Sequence, residues 1–314
     1  MRLSGLADLK RVYGTRLAEL DLMVVRAHVG CRLPHAPSST WYSYEDPFLL
    51  FKLAWGVRTM VEYDVSGISD LLEALPKIYG RTKAGKPKTV WFRGHASHAW
   101  HLEPSLSRQG KLEDELKLMK HFKQNAFQFL SAPPQSESEW IFLMQHYAIP
   151  TRLLDWTENP LVALYFACQD FPARRKPAAA VWCLYPQELN KISGVVLTPQ
   201  DDIPAFGEED ELEDYLPSRV RIGNAQKTPL AIIAARRFDR VYAQKGVFTI
   251  QHREVHRLEE LQDAAGEQPH LVKLKIPRNA VKRLTKEIAL LGVNKLMIFP
   301  QLDNAAAHVM ETLG

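Results

Sequence analysis

The sequence predicts a single α+β domain with a mixed or antiparallel sheet flanked by helices, preceded by an N-terminal helical extension. Two observations support this fold class. Short apolar runs such as 178–185 and 271–276 are typical of strands, and the run 111–130 has the spacing of an amphipathic helix. These elements do not alternate regularly as strand, helix, strand, which is the pattern of a parallel α/β sheet.

Apolar periodicity, capping residues and turn residues assign the individual elements. The helices are predicted at 69–79, 111–130, 138–147, 160–171 and 279–291, the fourth with Pro160 in its first turn and Asn159 or Thr157 as its cap. The strands are predicted at 89–92, 178–185, 229–235, 246–251, 271–276 and 295–299. The acidic segment 201–214 is expected to be a mobile insert.

The chain divides at about residue 68. Residues 1–33 alternate apolar and charged positions with helical spacing, so we assign residues 1–67 to the N-terminal, mainly helical extension. Residues 68–314 form the main domain.

Composition indicates a soluble protein that we expect in the cytoplasm, without a membrane partner. The chain is 46% hydrophobic and 24% charged, and it has no apolar run long enough to span a bilayer. Its formal charge of +4 is small for a dedicated nucleic-acid binder. Its three cysteines lie far apart, which argues against a disulfide framework and is typical of a reducing compartment.

Arg93 is the first candidate site residue, because it follows an apolar run that reads as a buried strand. A guanidinium in such a place commonly grips a phosphate or a carboxylate through two hydrogen bonds. Gly94 would let the backbone turn or approach a ligand closely. The alternative is structural: a buried ion pair between Arg93 and Asp155 that ties two elements together.

A second cluster, Thr151, Arg152, Asp155 and Thr157, interrupts an apolar stretch that leads into a helix. Asp155 and Thr157 could cap that helix, or the helix start could hold a pyrophosphate. His146, just ahead of the cluster, could orient Asp155 or exchange a proton near neutral pH, or be a satisfied core histidine.

The third cluster, Arg240 with Gln244, precedes the apolar strand 247–250 and reads either as part of a site or as a polar turn. Gln244 can donate and accept hydrogen bonds but cannot act as a general base. His95, His98 and His101 have the spacing of metal ligands, but no cysteine or carboxylate lies at a complementary position. We therefore expect no metal.

These segments carry a family resemblance. The stretches 90–94, 100–106, 145–147, 150–157 and 159–167, followed by Arg240, 244–248, Gly292 and 299–303, resemble the FRG domain, a mainly bacterial family named for the tripeptide 92–94. The resemblance covers about residues 68 to 314. The family's company in bacterial genomes implies a toxin or a defence effector.

In order, the three clusters also resemble the NAD site of ADP-ribosyltransferases, which implies an NAD- or nucleotide-handling enzyme with that type of core. Arg93 matches the arginine on the first core strand, where it would hold a phosphate or ribose. Thr151, Asp155 and Thr157 match the middle segment and would shape the pocket floor. Gln244 lies where the family usually places a glutamate, and Glu254 comes several residues late. The resemblance implies a transferase or an NAD glycohydrolase, but without the usual carboxylate it leaves NAD binding alone, glycohydrolysis or a changed mechanism open.

The implied site comprises Arg93, His146, Asp155 and Gln244 as catalytic residues. Its cofactor-binding residues are Arg93, Gly94, Thr151, Arg152, Thr157 and Arg240, with NAD as the substrate. The acceptor could be a protein or a nucleic acid. The rival hypothesis is a non-catalytic module that binds a protein or nucleic acid through the same cleft, helped by the basic segments 81–88 and 174–176.

Overall fold

The computed structural model describes residues 60–313 apart from 83–84, 170–177, 196, 198–201, 223–226, 235–238, 255 and 262–268. These residues belong to one unit that starts at Met60. The helical extension predicted over residues 1–67 lies largely outside the described residues, as does the basic segment 174–176.

One mixed sheet organises the described part of the chain, which confirms the predicted α+β class. Its strands are β1 (Val61–Asp64), β2 (Trp91–His95), β3 (Leu153–Thr157), β4 (Ala178–Leu184), β5 (Leu230–Ile232), β6 (Gly246–Ile250) and β7 (Leu271–Pro277). They lie in the order β1-β7-β4-β2-β3-β6-β5. β1 pairs with β7 in parallel, and the other pairs are antiparallel. β1 precedes residue 68, where we placed the start of the main domain.

Helices lie between most of the strands. They are α1 (Ile68–Tyr79), α2 (Ser105–Arg108), α3 (Glu115–Ala126), α4 (Glu137–His146), α5 (Pro160–Cys168), α6 (Pro186–Ile192), α7 (Pro217–Ile222), α8 (Asp239–Ala243), α9 (Val281–Leu290), α10 (Lys295–Ile298) and α11 (Leu302–Leu313). α5 begins at Pro160 as predicted, and Asn159 caps it by accepting a hydrogen bond from the Leu161 amide at 3.0 Å.

Side-chain alternation along the strands separates the apolar interior into distinct cores. On β2, Phe92 packs with α1, α5 and α9, whereas its neighbour Trp91 packs with Trp156 and Trp182 on the opposite face. On β3, Leu153 packs with α3 and α4 while Leu154 joins the tryptophan core. The sheet is therefore buried on both faces.

β2 is paired much more extensively with one of its neighbouring strands than with the other. This strand pairs with β4 over its whole length, but its pairing with β3 is confined to Phe92 opposite Thr157. The remaining residues of β2 and β3 diverge from that point. Polar side chains from both strands can therefore occupy the gap, and the candidate site lies beside it.

Two predicted elements were wrong. Residues 295–299 were predicted as a strand, but they form the short helix α10, because Asn294 caps it by accepting a hydrogen bond from the Met297 amide at 2.9 Å. The segment 201–214 was expected to be a mobile insert. Its described end forms a 3₁₀ helix, Asp210–Tyr215, in which Leu212 and Tyr215 are anchored in the core. The acidic composition of the segment led us to expect an exposed loop, although Leu212 and Tyr215 are buried.

Candidate functional site

A cleft opens between the end of α4 and α8, with β3 and β6 as its floor. It encloses about 50 Å³ and is lined by Phe142, Gln145, His146, Asp155, Trp156, Ala234, Arg240, Val241, Gln244, Gly246 and Phe248. Of the site residues predicted from sequence, His146, Asp155, Arg240 and Gln244 all line this cleft. They come from α4, β3 and the α8 region, so only the tertiary fold brings them together.

A chain of hydrogen bonds fixes the Asp155 carboxylate at the cleft floor. The side chain of Asp155 is exposed, and its Oδ2 accepts a hydrogen bond from Gln145 Nε2 at 2.7 Å. Gln145 Oε1 in turn accepts a hydrogen bond from the buried hydroxyl of Thr151 at 2.5 Å. The hydroxyl therefore sets which way the amide faces, and the amide holds one carboxylate oxygen.

Gln244 is held from two sides. Its Nε2 donates to the carbonyl oxygen of Ile298 at 3.1 Å, and its backbone carbonyl accepts a hydrogen bond from Thr157 Oγ1 at 2.5 Å. Thr157 also accepts a hydrogen bond from the Asn159 amide at 3.0 Å, which links this contact to the start of α5. Thr157 is buried and so positions Gln244. Among the described residues, no donor reaches the side-chain oxygen of Gln244, which could therefore accept a hydrogen bond from a ligand.

Arg240 brings a positive charge to the cleft. Its guanidinium carbon lies 4.8 Å from the ring centroid of Phe299, a cation-π contact that orients the side chain. Within the described part of the chain, no carboxylate pairs with this guanidinium. The donors of Arg240 are thus available to an anionic group.

His146 shares the cleft with that charge. Burial lowers the pKa of His146, Arg240 lowers it further, and Asp239 acts in the opposite direction. The imidazole is therefore neutral at pH 7 and can accept a proton. Its ring also packs edge-to-face on Tyr147, with centroids 4.9 Å apart.

Arg93 lies behind the cleft, in the gap between β2 and β3. Its Nη1 donates to the backbone carbonyl of Asp155 at 2.5 Å, and its Nε donates to His95 Nε2 at 3.0 Å. Burial lowers the pKa of Arg93 to about 10, with Asp155 opposing the shift, so the guanidinium stays charged at pH 7. The sequence suggested an Arg93–Asp155 ion pair, but the guanidinium donates to the Asp155 backbone carbonyl, while Gln145 donates to the carboxylate.

Gly94 and Arg152 lie away from the cleft. Gly94 faces α5, where a side-chain Cβ would stand 1.9 Å from the Ala163 carbonyl oxygen. Arg152 is buried and forms an ion pair with Glu115 at 2.6 Å. Its other donors reach the carbonyls of Gln251 at 2.6 Å and Tyr215 at 2.5 Å. Gly94 therefore allows close packing of α5 on β2, and Arg152 forms buried polar contacts away from the cleft.

Backbone strain also concentrates at the cleft. The residues with positive φ other than glycine, among those the structure describes, are Ala148 with φ 58° and Lys245 with φ 46°. Ala148 follows the helix that carries Gln145 and His146, and Lys245 follows Gln244. A left-handed conformation costs a non-glycine residue about 1 kcal/mol or more, and such strain clusters at functional sites.

Sequence reasoning gave no role to Gln145, although this residue holds the Asp155 carboxylate. The apolar walls, Phe142, Val241 and Phe248, were also not assigned to the site. Gln145 lies in the stretch 145–147, which carries part of the family resemblance, and this was the sequence signal that could have identified it. The partner of its amide could not be read from spacing, because Thr151 and Asp155 belong to a loop and a strand that turn back onto α4.

The buried imidazole of His95 predicts a pH effect on stability. Burial, with Arg93 as the next cause, lowers the pKa of His95 to about 2, against about 6.5 in an unfolded chain. Below pH 6.5 the unfolded state binds a proton that the folded state does not, so stability falls as the pH drops through this window.

We expect His95→Gln to reduce the pH dependence of the unfolding free energy by about 1.4 kcal/mol per pH unit between pH 6 and pH 4. The glutamine oxygen can still accept the hydrogen bond from Arg93. Urea unfolding at three pH values measures the slope in both proteins. An unchanged slope would show that His95 already binds its proton in the folded state near pH 6.

In the described residues, no helix is long and apolar enough to cross a membrane. The same residues contain no group of three or more histidine, cysteine, aspartate or glutamate side chains arranged to hold a metal ion. Cys168 and Cys183 are buried free thiols.

Comparison with known proteins identifies part of the chain. Residues 88–176 match the family model of the FRG domain, a shorter stretch than the 68–314 suggested by the sequence. No curated protein and no solved structure matches. The matched stretch includes β2 with its tripeptide, Gln145, Asp155 and the whole of α5, whereas Arg240 and Gln244 lie beyond it. The chain therefore carries an FRG domain at residues 88–176.

Proposed function

We propose that the cleft binds a nucleotide and that the protein is an NAD-consuming enzyme of ADP-ribosyltransferase-like type. The observation that carries this proposal is the Asp155 carboxylate, exposed in the cleft and held by Gln145 at 2.7 Å. The sequence lacks a glutamate at the position where these transferases usually have one. Asp155 offers a carboxylate in its place.

The electrostatics of the cleft suit such a substrate. Arg240 presents a guanidinium that can bind a phosphate, while Asp155 presents a negative charge in the same cleft. The enclosed volume of about 50 Å³ is far below the 300–1,000 Å³ of a typical small-molecule pocket. We therefore place only the ribose–nicotinamide linkage in the cleft, with the adenosine end outside it.

The proposed reaction begins with cleavage of the bond between ribose C1′ and the nicotinamide nitrogen. The bonding electrons leave with nicotinamide, which becomes neutral, and C1′ develops positive charge. Asp155 stabilises that charge, and a preorganised charge of this kind is usually the largest single contribution to catalysis. Water or an acceptor hydroxyl then attacks C1′ and gives its proton to neutral His146. Gln244 contributes its amide oxygen to a ribose hydroxyl.

Arg93 has a positioning role in this proposal. Its guanidinium fixes the backbone of Asp155 from behind the cleft, through the 2.5 Å contact to the carbonyl oxygen. Thr151 has an equivalent role for the carboxylate, which it reaches through Gln145. The toxin or defence role suggested by the family resemblance stays a prediction that depends on this activity.

Asp155→Asn tests the proposal, because it removes the charge and keeps the shape. We expect wild-type protein to release nicotinamide from NAD and the variant to lose at least about 100-fold in kcat. Nicotinamide is measured by chromatography, and NAD binding by calorimetry. Arg240→Ala is expected to weaken NAD binding about tenfold through the lost phosphate contact.

Asp64→Asn is the matched control, since Asp64 lies at the end of β1 on the far edge of the sheet. It should leave both measurements unchanged. If wild-type protein neither binds nor consumes NAD, the proposal is wrong. If it binds NAD and Asp155→Asn turns over normally, Asp155 is not the catalytic carboxylate.

A further inference from the structure

A second surface lies on α3, away from the chemistry proposed for the cleft. Between Leu116 and Ser136 the sequence has no aspartate or glutamate, but it has Lys117, Lys120 and Lys123. The helix buries Met119 and Ala126 against the core. The lysines are spaced three residues apart along the helix, with Lys117 and Lys120 on its exposed side and Lys123 next to the buried side.

The lysines carry charge that the rest of the described chain does not neutralise. Lys117 and Lys120 are exposed, and Lys123 is half-buried. None of the ion pairs in the described part of the protein involves them. The Nζ of Lys123 instead lies 5.3 Å from the ring centroid of Trp140, which keeps its charge at the helix surface.

Two exposed aromatic rings follow these charges in the 3₁₀ turn Phe127–Phe129 that ends the helix. Phe127 is 53% exposed and Phe129 is 79% exposed, although rings of this size are usually buried. The ring centroid of Phe127 lies 5.4 Å from that of Trp140, the ring that Lys123 also covers. Phe127 follows Lys120 by seven residues and Lys123 by four, so these side chains share one side of the helix.

We propose that this strip, Lys117, Lys120, Lys123, Phe127 and Phe129, binds single-stranded nucleic acid. The lysines meet backbone phosphates, and the phenylalanine rings offer flat faces on which unpaired bases stack. The combination favours a single strand over other polyanions. An acidic peptide would use the lysines but leave the rings exposed, and the bases of a duplex are already stacked inside the helix.

The proposal does not depend on NAD turnover. It concerns binding alone and uses residues outside the cleft. It also differs from the basic segments 81–88 and 174–176 considered from sequence, neither of which is interleaved with aromatic residues. Residues 117–129 combine both features in one stretch of chain.

Fluorescence anisotropy with a 12-nucleotide oligo(U) or oligo(dT) probe tests the strip at 50–200 mM salt. We expect saturable binding to single strands and weaker binding to a 12-base-pair duplex. Replacing Lys117, Lys120 and Lys123 together by Gln should flatten the slope of log K against log salt by about 2, since each phosphate contact contributes about 0.7 on single strands.

Replacing Phe127 and Phe129 by Ala should lower the affinity about tenfold or more while leaving the salt slope unchanged, because stacking releases no counterions. Replacing Lys282, Lys286 and Lys295, which are exposed on α9 and α10, by Gln is the matched control and should leave the affinity unchanged. Thermal melts check that each variant is folded, since Lys123 and Phe127 also contact Trp140.

The proposal is overturned if wild-type protein shows no saturable binding at 50 mM salt, or if the control lysines matter as much as those of the strip. It is also overturned if the two phenylalanines make no difference. Equal competition by polyglutamate would show that the strip takes an acidic protein partner instead.

Discussion

Gly94→Ala is expected to destabilise the domain by at least about 3 kcal/mol, a large fraction of the free energy of unfolding of an ordinary domain. A Cβ at this position would lie 1.9 Å from the Ala163 carbonyl oxygen and 2.5 Å from the Ala167 amide nitrogen. Both atoms belong to the backbone of α5, so no side-chain rotation can relieve the clash. Either β2 or α5 must move, which disrupts the core on that face.

Chemical denaturation monitored by tryptophan fluorescence measures the effect. Gly110→Ala is the control: its backbone has φ 64°, but no heavy atom lies within 4 Å of the added carbon. It should cost only about 1 kcal/mol, the strain of a left-handed alanine. If Gly94→Ala lowers the free energy of unfolding no more than Gly110→Ala does, the glycine is not required for close packing of α5 on β2.

Arg152→Met is expected to cost about 3–5 kcal/mol, because it leaves the buried Glu115 carboxylate without its cation. The arginine is 1% exposed and Glu115 4% exposed. The backbone carbonyls of Tyr215 and Gln251 also lose their donors in the variant, and an unsatisfied buried acceptor adds to the cost. These contacts tie α3, β3 and the 3₁₀ helix Asp210–Tyr215 together.

The double variant Arg152→Met with Glu115→Leu separates charge from packing. It should be markedly more stable than Arg152→Met alone, since it removes the uncompensated carboxylate as well. Denaturant midpoints measure this, and NAD affinity of the folded fraction provides a second readout. Equal stability of the single and double variants would contradict a dominant role for the ion pair. If Arg152→Met loses NAD affinity without losing stability, Arg152 contributes to NAD binding after all.

Most elements could be predicted because their local pattern and their packing agree. α4 was expected at 138–147 and forms at Glu137–His146, where Ser136 caps it and its apolar residues face the core. α9 was expected at 279–291 and forms at Val281–Leu290. Residues 295–299 failed because a short apolar run fits a strand or a helix, and the Asn294 cap decided between them.

For the site, the sequence identified the polar residues but not their partners. His146, Asp155, Arg240 and Gln244 do share a cleft, while Gly94 and Arg152, chosen by the same reasoning, face other elements. The difference lies in what each side chain faces in the fold. The sequence around Arg152 reads the same whether Glu115 or open solvent lies across from its guanidinium.

By itself the sequence determined the α+β class, the FRG domain and the polar residues worth testing, because these depend on local spacing and on motif identity. The tertiary structure alone decided how those residues pair. Hydrogen-bond partners such as Gln145 for Asp155, or the backbone of Asp155 for Arg93, depend on how α4 and β2 lie beside β3. These elements come from separate parts of the chain, so no local pattern encodes their contacts.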